Sequence, residues 1–157
     1  MNAYRMKPLA FPWPPLIYGA AIAAAFLLQA YFPLAAADTN LWIAKAVGGA
    51  LIASAIVLDV WAMRTLLDCH TTILPNRCSA HLVTSGPYRL TRNPIYLGYT
   101  LATAGIGLVL LNPWMLVTAM IAAGVTSIVA IKREELHLLS RFGIDFERYC
   151  NGTTRWI

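Results

Sequence analysis

The chain has 157 residues, is 59% hydrophobic and only 12% charged, and carries a formal net charge of +5. A water-soluble domain usually carries about 25% charged residues, so the composition excludes an ordinary soluble surface and points to a membrane. The basic excess does not point to nucleic acid, because the lysines and arginines fall between apolar runs rather than on one polar face, as membrane topology requires.

The expected fold is all-α and polytopic, one membrane domain over residues 1–157 without linker or low-complexity segment. The first apolar run covers residues 16–32 and follows Pro12, Pro14 and Pro15, which a helix start tolerates. It predicts a span over about 14–33, close to the lower limit of roughly 17 residues. "LAAAD" at 34–38 faintly resembles a signal-cleavage site. The run before it exceeds the roughly 7–15 apolar residues of a secretory signal, so it is expected to be kept as a span.

The second run predicts a span over 41–67, interrupted only by Lys45, Ser54, Asp59 and Arg64. A polar loop over 68–93 follows. It holds Cys69, His70, Cys78 and His81, and with Cys150 these cysteines form no CxxC pair. The spacing matches no common zinc site, so free thiols and no metal are expected. The third span is predicted over 94–111. Gly105 and Gly107 lie on it as a GxG, a pattern that serves close helix packing or lets a ligand approach the backbone. Asn112-Pro113 makes a tight turn, and the fourth span is predicted over 113–132. The last two spans therefore form a hairpin. In the tail, 133–157, Leu136, Leu139 and Phe142 recur at helical spacing. Gly143 fits a helix C-cap, and Ile144, Phe146 and Tyr149 suggest a second amphipathic piece, either a surface anchor or a lid.

Topology follows from the basic residues. Eleven of the twelve, all except Lys45, share one side of the four predicted spans. Both termini and the large loop are therefore expected in the cytoplasm. Trp13, Trp61 and Trp156 fit the inner interface, and Trp42 and Trp114 the outer one.

The outer loops hold almost no polarity, so chemistry is expected at the cytoplasmic face. The tight turn makes the third and fourth spans antiparallel neighbours. It brings Arg92, Asn93 and Tyr96 near Lys132, Arg133, Glu134 and Glu135. Such a cluster serves either as a site or as snorkelling anchors with paired carboxylates. Adjacent residues point about 100° apart on a helix, so Glu134 and Glu135 do not serve one ligand from one face. One is expected toward the bundle, the other capping or pairing with an arginine. Asp59 lies well inside a span, where acids need a partner. It is either an acceptor in a cavity or a structural bond to a Ser or Tyr of a neighbouring helix. His70 and His137 read as solvated interface residues; His81, leading into "LVTSGPYR", stays open.

"HLVTSGPYRLTRNPIYLGYTLATAGIG", an apolar hairpin and then "REELHLLSRFGIDFERY" resemble the integral-membrane methyltransferase superfamily, which contains the isoprenylcysteine carboxyl methyltransferases and the phospholipid N-methyltransferases. The resemblance covers about residues 70–150. It implies a methyltransferase that uses S-adenosylmethionine, bound at the cytoplasmic ends of the last helices. The family's motifs fall on Gly86, Pro87, Tyr88 and Arg89; on Arg92, Asn93, Pro94 and Tyr96; on Gly105 and Gly107; and on Glu134 and Glu135. Asn93 stands where the isoprenylcysteine branch usually has His, and four spans are fewer than that branch usually has. Both features point away from prenyl-cysteine as the substrate.

The site expected on this basis has Arg92, Glu135 and Asp59 as catalytic residues. His81, Tyr88, Arg92, Asn93, Pro94, Tyr96, Gly105, Gly107, Glu134 and Glu135 are expected around the cofactor. Arg92 is expected to hold the methionine carboxylate, because guanidinium forks match carboxylates. Asp59, His81 or a glutamate would serve as base if the acceptor is an amine. The partners implied are the lipid bilayer and a lipophilic or small methyl acceptor bearing a carboxylate, amine or thiol. Two alternatives stand beside this reading: a non-enzymatic lipid-binding protein, and an NADPH-dependent reductase on a related scaffold. The oligomeric state is left open.

Overall fold

A computed structural model describes residues 13–34, 40–69 and 81–157. His70, Cys78 and most of the cleavage-like segment at 34–38 lie outside the described residues. Every regular element described is helical. In chain order these are α1 (Trp13–Tyr31), α2 (Leu41–Asp68), a 3₁₀ turn (Gly86–Arg89), α3 (Pro94–Val109), α4 (Pro113–Thr126), α5 (Lys132–Phe142) and α6 (Ile144–Gly152). A π-helical turn, Ser127–Ile131, joins α4 to α5 without a break.

Among the described residues, three helices are long and apolar enough to cross a bilayer: α1, α2 and the continuous helix Pro113–Phe142. The expected third span is shorter, since α3 has 16 residues. At 1.5 Å per residue it reaches about 24 Å, against a hydrocarbon core of about 30 Å. Its ends are set by Pro94 at its first position and by the turn before Pro113. The expected boundary at residue 132 is also absent as a break. The fourth apolar run continues as one helix into the polar residues of α5, and only Gly143, at φ 54°, ends it.

The packing is that of a membrane bundle. α3 lies at the centre, against α2, α4 and α1, and α1 packs on α4. The buried positions are mostly small: Ala25, Ala55, Ala62, Ala119, Ala122 and Ala130. Phe26, Leu27, Val57, Met120, Ile121 and Ile128 point outward and are more than half exposed. Soluble proteins bury their large apolar residues; lipid exerts no such drive, and small residues at the seams let helices approach.

The α2–α3 seam shows this most clearly. Gly48, Ala55 and Ala62, spaced seven apart, are buried along α2, the repeat of a helix that stays on its partner. A Cβ on Gly48 would lie 2.6 Å from the Gly105 carbonyl oxygen, and one on Gly105 would lie 2.7 Å from that of Gly48. The two backbones touch. Ile52 fills the next layer against Gly105. One heptad along α2 and one back along α3, Asp59 occupies the equivalent layer, its carboxylate against Gly98 where no Cβ has room.

The α3–α4 hairpin closes just as tightly. Gly107 leaves room for the Met115 Cβ, 2.6 Å from where its own would be. Asn112 caps α4 by accepting from the Trp114 amide (3.1 Å), and its Nδ2 donates to the Ala25 carbonyl of α1 (3.3 Å). Trp114 Nε1 donates to the Phe32 carbonyl (2.8 Å). That end of the bundle is thus tied across three helices. The opposite end carries Arg64, Arg89, Arg92, Lys132, Arg133 and the tail.

Gly105→Ala is expected to lower the thermal midpoint of the detergent-solubilised protein by several degrees, because overpacking costs about 1–3 kcal/mol. Gly49→Ala is the control. Nothing lies within 4 Å of a Cβ there, and alanine favours a helix over glycine by about 1 kcal/mol, so its midpoint is expected unchanged or higher.

Candidate active site

The first turn of α3 starts at Pro94, with Asn93 just before it. Thr91 and Asn93 are buried, and Arg92 is half-buried. Apart from the Asn93 carbonyl, which accepts from the Leu97 amide of α3 (3.0 Å), most of their polar groups bond to the C-terminal segment and α5. The Arg92 amide donates to the Thr154 carbonyl (2.9 Å). Arg92 Nη1 donates to the carbonyls of Cys150 (3.0 Å) and Thr153 (2.6 Å), and Nη2 to Glu135 Oε1 (3.1 Å). Arg155 grips the same carboxylate from the other side, through Nε to Oε1 (3.0 Å) and Nη2 to Oε2 (2.5 Å). Hydrogen bonding to Glu135 holds the Arg155 guanidinium firmly charged. The Arg155 carbonyl accepts from Asn93 Nδ2 (2.9 Å) and Thr91 Oγ1 (3.1 Å).

Glu134 takes the other direction. Tyr96 donates its hydroxyl to Glu134 Oε1 at 2.5 Å, so this acid faces the bundle while Glu135 pairs with the arginines. Asp59 lies deeper. Its Oδ1 is buried and has no hydrogen-bond partner. Burial raises the Tyr88 phenol well above its usual range, with the charges of Tyr149, Glu134 and Asp59 adding to the effect. Tyr88 therefore stays a neutral hydroxyl within electrostatic reach of both acids. It sits in the 3₁₀ turn that Gly86, at φ 58°, starts against Thr65 and Trp61 of α2.

A cleft of about 90 Å³ opens here, lined by Leu66, His81, Val83, Tyr88, Arg92 and Tyr149. Ligand pockets usually measure about 300–1,000 Å³, so this cleft accommodates part of a cofactor-sized molecule. The Nε of Arg92 is buried beside it without a partner. Tyr149 closes one side by donating to the Tyr88 carbonyl (2.6 Å). Burial also raises the Cys150 thiol above its usual range, so it is not a thiolate nucleophile at neutral pH. Cys69 and Cys150 are free thiols. Among the described residues no three metal-binding side chains gather.

The structure brings together Tyr88, Arg92, Asn93, Pro94, Tyr96, Glu134 and Glu135, with His81 on the cleft and Asp59 in the adjoining seam. It does not bring Gly105 or Gly107 to them. Gly105 lies about 18 Å along α3 from Asn93 at 1.5 Å per residue, and both glycines are spent on helix contacts. Sequence reading missed the strap, residues 150–155, and with it Arg155 as the second cation on Glu135. Trp156 was expected only as an interface residue; its Nε1 also donates to Ser127 Oγ of the π turn (3.1 Å). The burial of His137 overturns its expected place as a solvated interface residue.

The model of the phospholipid methyltransferase family matches residues 43–145. The matched stretch runs from the start of α2 to α6 and includes Asp59, the "RNPIY" turn and both glutamates. It defines an integral-membrane methyltransferase, part of the superfamily that also holds the isoprenylcysteine enzymes. The chain belongs to the phospholipid methyltransferase family. No curated protein and no solved structure matches it.

Because burial raises the Tyr149 phenol above 10.0, it stays protonated in the fold at pH values where it ionises in the unfolded chain. Its contribution to stability is complete below pH 10 and is lost as pH rises through the folded value. Tyr149→Phe is expected to flatten the fall of the thermal midpoint between about pH 10 and 11, measured by scanning fluorimetry.

Proposed function

We propose that the chain is an S-adenosylmethionine-dependent methyltransferase acting on an amine of a lipid headgroup at its basic face. The observation that carries the acceptor class is Asp59. Its carboxylate oxygen is buried with no partner, held against Gly98 in the helix seam. An acid inside a membrane protein that bonds to no Ser or Tyr marks a place for a cation or a proton.

The residues present suit the cofactor. S-adenosylmethionine carries a carboxylate, a ribose diol and an ammonium, and when bound it supplies an electrophilic methyl group on a sulfonium. Arg92 offers an unpartnered buried Nε at the cleft and would face the carboxylate. Glu134 and Tyr96 would take the ribose or ammonium, with His81 and Tyr88 lining the cleft. Asn93 and Pro94 shape the turn that presents Arg92. On this reading Glu135 acts by holding Arg92.

Asp59 accepts the proton of the acceptor's ammonium, leaving its lone pair free. The neutral Tyr88 hydroxyl, within electrostatic reach of Asp59 and Glu134, adds no charge beside them. Leu66, Val83 and Leu138 give the cleft apolar walls, which strengthens charge interactions beside them. The acceptor arrives from the bilayer. With α3 as a short fourth pass, both termini and the site lie in the cytoplasm, where the basic end of the bundle belongs.

Binding of S-adenosylmethionine is measured by calorimetry on detergent-purified protein, and labelled-methyl transfer on phosphatidylethanolamine vesicles. Arg92→Ala is expected to weaken binding about 10–100-fold, the worth of a hydrogen bond to a charged group. Asp59→Asn is expected to leave binding within about threefold but to slow transfer about 10²–10⁴-fold, as loss of a general base does. Wild-type protein that binds no S-adenosylmethionine sinks the reading. Asp59→Asn protein with full transfer rate sinks the role of Asp59.

A further inference from the structure

Glu135 poses a problem for the site. It neutralises Arg92, the cation meant to attract an anionic group. The C-terminal strap answers it. We propose that Arg155 is a positioning residue of the cofactor site: by taking half of the Glu135 carboxylate, it leaves the Arg92–Glu135–Arg155 cluster with one net positive charge and fixes the Arg92 guanidinium at the cleft. This rests on the functional reading above, and extends it to residues beyond the matched stretch 43–145.

The bonds support it in three ways. First, Arg92 is tied at four points, and three belong to the strap: Cys150, Thr153 and Thr154 through their carbonyls. An arginine left on a flexible stem would lose that aim. Second, Arg155 meets Glu135 with two nitrogens on two oxygens, the fork that gives a carboxylate a fixed plane. Arg92 donates to one of those same oxygens, so the carboxylate plane set by Arg155 also sets Arg92. Third, the Arg155 carbonyl holds Asn93 and Thr91, and Trp156 pins the strap to the π turn at Ser127. Such turns are frequent at functional sites. The side chain of Arg155 is 38% exposed, so it is not a core filler whose loss would collapse the bundle.

The test uses full-length protein in nanodiscs. S-adenosylmethionine affinity is measured by calorimetry for wild type, Arg155→Ala, Arg155→Lys, Glu135→Gln and the Arg155→Ala/Glu135→Gln double variant. Transfer kinetics against phosphatidylethanolamine and amide hydrogen exchange without cofactor are run in parallel. Arg155→Ala is expected to raise the Kd for S-adenosylmethionine about tenfold, the scale of one charge-assisted bond, with KM for the lipid unchanged. Arg155→Lys, which keeps the charge without the fork, is expected to recover part of the loss. In the Glu135→Gln background, Arg155→Ala is expected to add less than about twofold, since coupled residues are not additive. The Arg92 amide, bonded to Thr154, is expected to exchange faster in Arg155→Ala with no cofactor present.

An Arg155→Ala Kd within twofold of a wild type that binds overturns this proposal alone. So does a parallel rise in the lipid KM with a fall in thermal midpoint, which marks a merely structural residue. Wild type that binds no S-adenosylmethionine overturns the functional reading and this proposal with it.

Discussion

The closeness of α2 to α3 decides what the rest of the molecule can do. In lipid, helices gain little from hiding apolar surface from one another. They associate where their backbones touch, and here they touch at Gly48 and Gly105. The heptad spacing of Gly48, Ala55 and Ala62 carries that contact along α2. Asp59 inherits its place from this geometry. It falls in the layer that Ile52 fills one heptad earlier, and the missing side chain of Gly98 gives its carboxylate room. Larger residues along the seam would part the helices and let the carboxylate swing toward water or a hydroxyl. Held as it is, its Oδ1 stays without a partner. An unmet acceptor is costly in a low dielectric, and sites are where such a cost is maintained.

The second constraint is electrostatic and lies at the membrane boundary. One carboxylate, Glu135, is shared between two guanidiniums. Taking charges out of water is unfavourable unless geometry and hydrogen bonding are good. Here Nη1 of Arg92 is met by two strap carbonyls, while its Nε keeps no partner among the described residues. The strap therefore uses its own carbonyls to hold one side of the guanidinium. That hold explains why a short segment without periodicity takes a defined path across the turn before α3.

Much of this was legible in the sequence, for physical reasons. The apolar runs, the prolines that start α3 and α4 and the short Asn112-Pro113 turn dictate a helical hairpin. A hairpin with so short a turn places Arg92, Asn93 and Tyr96 beside Glu134 and Glu135. The 100° between adjacent helix positions already divided the two acids between bundle and arginine. The π turn was not legible, because Ser127–Ile131 is apolar and reads as continuous helix. The strap was not legible either. "TTRWI" has no hydrophobic period, and its bonds are made largely by backbone carbonyls, which carry no sequence signal. The excess of arginines over glutamates near the motif was the one hint. Gly105 and Gly107 show the converse hazard. As a GxG they fitted both packing and ligand approach, and the structure spends them on packing at the far part of α3.

The division between Glu134 and Glu135 also divides the site. On one side lie Arg92, Glu135 and Arg155, joined by ion pairs and braced by the strap. On the other lie Tyr96 and Glu134, joined by a hydrogen bond, and Asp59, set against Gly98 in the helix seam. Methyl transfer needs this asymmetry on the proposed reading. The polar end of a donor must be held by fixed charges, while the reacting end must meet an acceptor that lives in lipid. Tyr88 stands near the join, on a turn anchored to α2 by Gly86, with its hydroxyl kept neutral by burial and by nearby negative charge. A charged residue there would neutralise one acid and repel what the other must bind. A neutral phenol lets the two halves keep different charges a short distance apart, which is the condition for holding a donor and deprotonating an acceptor in one small space.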